Sequence, residues 1–184
     1  MKASDAIINI AQSYIGQQEL KGNAGFKDEW FEKKMKDRGF EAGDAWCVLF
    51  CELVLYETYK DTPFEYYIDR LFSKSAVQTW NNFRKDGPFK CCKTAVPGAV
   101  VIWQKFVGGV GSWQGHAGIV IEVLKYSFYA VEGNGNSAGG REGIEVVYKE
   151  RTYAVPDTGL RILGFIHPAQ GYIETIYENE NILA

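Results

Sequence analysis

The sequence predicts an α+β fold in which N-terminal helices pack on a C-terminal antiparallel β-sheet. Three observations predict it. Up to about residue 86 apolar residues recur at helical spacing. Beyond it, segments rich in valine and isoleucine alternate or run apolar between glycine-bearing turns. The chain of 184 residues, 46% hydrophobic and 15% aromatic, is enough for one sizeable core and needs no second domain. A single domain is therefore placed over residues 1–170, followed by an acidic, polar tail over 171–184.

The first helix is read over 3–15, with Ser4 as N-cap and Ile7, Ile8, Ala11, Tyr14 and Ile15 on one face. The second spans 26–38, where Glu32, Lys33, Lys34, Lys36, Asp37 and Arg38 mix both signs as a solvated helix face does. The third covers 45–58, begins Ala45-Trp46-Cys47-Val48-Leu49-Phe50 and has Asp44 as N-cap, and the fourth covers 75–85. Strands are read at 99–103, 117–124, 127–132, 143–148 and 160–167. The stretch from Gln104 to Trp113 reads either as a glycine-loosened loop beside a cleft or as an ordinary hairpin loop, and Asn134 to Gly140 as a polar loop.

Net charge is −3, and no lysine- or arginine-rich cluster interleaves with aromatics, which argues against a nucleic-acid partner. No apolar run is long enough to span a bilayer, and the first residues lack the apolar core and cleavage site of a secretory signal. Synthesis in the cytoplasm is expected. Four cysteines at 47, 51, 91 and 92 do not form a disulfide framework: Cys47 and Cys51 lie four apart on one helix, and Cys91-Cys92 is a vicinal pair in a polar turn. That spacing does not suit a zinc site, and Glu41 with Asp44 supplies too few carboxylates for calcium, so neither metal nor cofactor is expected.

Chemistry concentrates in three places. Cys47 opens an apolar helix, where orphan backbone N–H groups and the positive dipole end favour a thiolate, the form that attacks carbonyls. Alone, such a cysteine is equally well read as a core residue. Gly115-His116-Ala117-Gly118 is a glycine-flanked entry into a strand, and His116 is the better base of two histidines, because His167 precedes Pro168 at a strand end. Tyr129-Ala130-Val131-Glu132-Gly133-Asn134 points Glu132 and Asn134 to one face by strand alternation. Glu132 ranks first as the group that orients the imidazole, since a carboxylate also stabilises an imidazolium; Asn134 is the second choice, or a donor to an oxyanion.

The order of these parts, with Pro97-Gly98 leading into Ala99-Val100-Val101-Ile102-Trp103 between the first two, resembles the CHAP amidase/peptidase domains of the papain-like superfamily. Ile10 to Gly16 with Glu19 and Gly22-Asn23 resembles the lead-in of phage-type members, and Leu163 to Pro168 their last strand. Val48 departs from the small residue those domains usually carry after Trp-Cys. The resemblance implies a cysteine-dependent hydrolase of bacterial peptidoglycan, acting at a muramoyl–alanine, stem-peptide or cross-bridge amide, with Cys47, His116, Glu132 and Asn134 as its site. Reaching the wall would then require phage-type lysis or an injection apparatus. Two alternatives stand beside it: a papain-like hydrolase of another small amide, and a catalytically silent module that binds wall peptides or a protein.

Overall fold

Residues Cys47–Tyr59 are apolar around nearly the whole helical circumference, so this helix has to be enclosed on all sides. The computed structural model, which describes residues 2–135 and 144–169, encloses it between other helices and a sheet. The order is α1 (Ala3–Ser13), α2 (Glu29–Asp37), α3 (Cys47–Tyr59), α4 (Glu65–Leu71) and α5 (Ala76–Lys85), then β1 (Cys91–Cys92), β2 (Val100–Val107), β3 (Val110–Val123), β4 (Ser127–Gly135), β5 (Glu145–Thr152) and β6 (Gly159–Ile166). The fold is α+β, helices first. The strands form one sheet in the order β1-β6-β2-β3-β4-β5, with every neighbouring pair antiparallel.

The main core lies between helices and sheet, where Trp46, Phe50, Phe31 and Tyr59 meet Ile102, Ile119 and Val131. A smaller core on the other side joins Val101, Trp103, Val120, Phe128 and Phe165. Inward- and outward-pointing residues of β2 thus feed different cores, as a two-residue strand period requires.

Several expected boundaries move. Helix α1 begins after Lys2, so Ser4 lies inside it and is not its cap. Helix α2 starts later than expected because Asp28 caps it, accepting from the Phe31 N–H at 2.8 Å. Helix α4 was not expected: it is a seven-residue helix without a side-chain cap that buries Ile68 and Leu71. Cys91 and Cys92 do not sit in a turn but form the edge strand β1, opposite Ile166 and Phe165, and all four cysteines are free thiols.

The segment from Gln104 to Trp113 is no flexible loop. Strands β2 and β3 run on through it and turn at Gly108-Gly109, both with positive φ (55° and 80°), as a two-residue hairpin turn demands. Of the expected loop over 134–140, Asn134 and Gly135 belong to β4, and the remainder, with the tail over 171–184 and the boundary at 170, lies outside the described residues. Among the described residues, no helix is long and apolar enough to cross a membrane.

Candidate active site

Cys47 is the first residue of α3. The preceding Trp46 is fully buried, packs on Phe26 at 5.0 Å between ring centroids, and donates its indole N–H to Glu19 at 2.5 Å. This anchor fixes where the helix starts and therefore where the thiol stands. Asp44 does not cap the helix. Its carboxylate turns back to accept from the Glu41 N–H at 2.9 Å and pairs with Lys74 at 2.6 Å, while Lys74 also holds Glu41 at 2.8 Å.

The His116 ring and the backbone N–H groups of Ala117 and Val48 favour the charged form of the Cys47 sulfur. Burial opposes ionisation, but the charge and hydrogen bond of His116 together with the two backbone donors outweigh it, and the thiol is held below its ordinary range. His116 responds in the opposite direction. Burial disfavours its charged ring, yet the attraction of Cys47 and Glu132 pushes it up to about 10. The two shifts run in the directions that favour proton transfer from the thiol to the imidazole.

The far nitrogen of His116, Nε2, lies 2.9 Å from Glu132 Oε2, which leaves Nδ1 to face the sulfur. Glu132 has no exposed surface. Its other partner is Arg151, whose Nε donates to Oε1 at 2.6 Å and whose Nη2 donates to Oε2 at 2.5 Å. Against the cost of burial, these bonds and His116 lower the carboxyl to about 2. Beneath both cations lies Trp103: its ring stacks on His116 at 5.6 Å, and the Arg151 guanidinium sits 5.4 Å from its centre.

Two glycines permit this closeness. A Cβ on Gly133 would meet Phe50 Cβ at 2.5 Å, so the glycine between Glu132 and Asn134 lets α3 press against β4. A Cβ on Gly118 would meet Glu132 Cγ at 2.8 Å.

Cys47, His116, Glu132 and Asn134 all line one cleft of about 550 Å³. The site residues read from the sequence are thus brought together, with distinct positions. Glu132 holds the imidazole; Asn134 stands further along the cleft with φ 53° at a break in the β4–β5 register. Asn23, from the lead-in loop, reaches the same cleft, its Nδ2 donating to the Asp44 carbonyl at 2.9 Å. Arg151 escaped sequence reasoning because its register partner is Phe128, not Glu132, and an arginine in a polar strand reads as solvated.

A second cysteine–histidine contact exists, Cys92 Sγ to His167 Nε2 at 3.1 Å. It lacks the features of the first. The same Nε2 lies 2.7 Å from the Thr94 carbonyl, to which its hydrogen is directed, and no described carboxylate orients the ring. Among the described residues no group of three or more His, Cys, Asp or Glu side chains could hold a metal ion. Comparisons with protein-family models, with curated proteins and with solved structures gave no match to this chain.

Proposed function

We propose that this protein is a cysteine-dependent amide hydrolase that cuts bacterial peptidoglycan through thiolate attack and an acyl-enzyme. One observation carries the reaction class: a cysteine at a helix start, beside an imidazole whose other nitrogen rests on a buried, arginine-held carboxylate, all facing one cleft. The substrate class is supported by the resemblance of four ordered segments to CHAP domains.

In this reading the proton has passed from Cys47 to His116 before substrate arrives. The thiolate forms a bond to the amide carbonyl carbon, and the oxygen takes up negative charge. The backbone N–H of Cys47, among the unpaired donors at the start of α3, faces that charge, and one such donor is typically worth about 10²–10³ in rate. His116 then gives its proton to the departing amine as the C–N bond breaks. It next takes a proton from water, whose oxygen attacks the thioester carbon; the acid leaves and the thiolate–imidazolium pair is restored.

The test is incubation of the protein and of Cys47→Ala with isolated peptidoglycan sacculi, with mass analysis of soluble products. Fragments released by the wild type alone are expected, and their masses identify the bond. Equal release by a folded Cys47→Ala variant, or none by either protein, overturns the proposal.

A further inference from the structure

We infer that the cleft contains a carboxylate-binding subsite centred on Lys105, so that the preferred substrate carries an anionic group close to the scissile amide; this rests on the hydrolase reading above. The subsite comes from an irregularity in the β2–β3 hairpin. Gln104 pairs with Gly115 and Phe106 with Gly111, which sets the single residue Lys105 against Ser112, Trp113 and Gln114. Extra residues of this kind re-aim side chains beside active sites. The departure is held by the Gln104 amide on the Ser112 carbonyl at 2.8 Å and by the Gln114 N–H on the Ser112 hydroxyl at 3.1 Å. As a result Lys105, Trp113 and Gln114 all line the cleft that holds Cys47.

Lys74, Lys105, Lys149 and Arg151 line the cleft, and Lys105 differs from Lys74 and Arg151 in what it faces. Lys74 is neutralised by Glu41 and Asp44, and Arg151 by Glu132. The Lys105 ammonium donates instead to a neutral acceptor, Gln114 Oε1 at 3.0 Å, and among the described residues no carboxylate lies within ion-pair distance of it. A half-buried ammonium facing an amide keeps its charge uncompensated, and an incoming carboxylate gains a charge-assisted bond from it. With Oε1 turned to Lys105, Nε2 of Gln114 is left as a donor to the second carboxylate oxygen. Trp113, 80% exposed on the same irregular stretch, adds an apolar face for the neighbouring part of the substrate. Peptidoglycan stem peptides carry free carboxylates and offer this combination.

The experiment compares native sacculi with sacculi whose carboxyl groups have been converted to carboxamides. Wild type is expected to release fragments from native sacculi about tenfold faster than from the amidated form. Lys105→Met should lose most of that preference through its rate on native sacculi, and Lys105→Arg should keep it. Co-sedimentation is measured in parallel with Cys47→Ala and with Cys47→Ala/Lys105→Met. The single variant should sediment more with native sacculi than with amidated ones, and the double variant equally with both. If no variant cleaves, the hydrolase reading fails while sedimentation still decides the subsite. Indifference of the wild type and Cys47→Ala to amidation, or retention of the preference in Lys105→Met, overturns the inference.

Discussion

Arg151→Met removes both donors that grip Glu132 and keeps a side chain of similar length over Trp103. In the native protein Glu132 ionises near 2 in place of an ordinary 4.5. At about 1.4 kcal/mol per unit, that gap amounts to about 3 kcal/mol in favour of the folded state at neutral pH. Arg151 supplies the largest of the interactions that lower the carboxyl, and His116 remains as a partial partner. The variant should therefore lose roughly 2–3 kcal/mol, within the range for breaking a buried pair from one side. For a chain of this size the melting temperature falls by roughly 5–10 °C. The pH dependence follows from the sign of the shift. Because the folded value is depressed, the stabilisation is complete above 4.5 and drains away as pH falls toward 2. The deficit of the variant should be widest at neutral pH and narrow on acidification, which a calorimetric series reads directly. Arg151→Lys, a point charge without the two-pronged fork, should fall between. A wild-type melting temperature at neutral pH, or a deficit that grows in acid, refutes this reasoning.

With His116→Ala, the ultraviolet thiolate absorbance of Cys47 should vanish at neutral pH and its alkylation by iodoacetamide should slow, because burial then acts with less opposition; an unchanged titration would show that the imidazolium does not hold the thiolate. Glu132→Gln should lower kcat by roughly 10²-fold or more, as loss of an orienting carboxylate does in other triads, whereas Asn134→Ala should cost much less; the opposite order would make Asn134 the orienting group. Glu52 provides a prediction away from the cleft. Burial raises its carboxyl to about 7 against the pull of Arg38, so the folded state prefers the proton and stability falls as pH rises from 4.5 to 7. Glu52→Gln should be nearly neutral in acid and stabilising by roughly 2–3 kcal/mol above that window, a difference that denaturant unfolding at two pH values measures.

The helical half was legible where periodicity and burial agree, as in α5, which buries Ala76, Thr79, Trp80 and Phe83, and the strands where valine and isoleucine cluster. Helix α4 was illegible because its seven residues are too short for periodicity to speak, and tertiary packing of Ile68 and Leu71 holds it. The extension of β2 and β3 past Trp103 was hidden by glycines that signal a loop as strongly as a turn. For the site, residue types and strand alternation brought out Cys47, His116, Glu132 and Asn134. What alternation could not convey was a four-membered arrangement: Arg151 is one strand over and out of register with Glu132, and Trp103 enters only through stacking beneath two cations. Long-range pairing of this kind leaves no local trace in the chain.

Cys47 and Cys51 isolate what decides the direction in which a buried thiol shifts. Both are buried, at 5% and 0% exposure, and both sit on α3 one turn apart, so desolvation penalises each thiolate. Cys51 receives only that penalty and the repulsion of Cys47 and Glu132, and its thiol is driven well above the ordinary range. Cys47 meets the same burial together with an imidazolium and two backbone donors, and its thiol is driven down. Burial therefore has no fixed sign for reactivity. It magnifies whatever polar groups the fold delivers, since each hydrogen bond and charge is stronger where water is excluded. The helix start places the sulfur among donors, and the following turn faces core. In this fold the first residue of α3 is the position on that helix where polar groups lower an enclosed thiol, and the arginine-held carboxylate behind His116 is among the groups that raise the imidazole beside it.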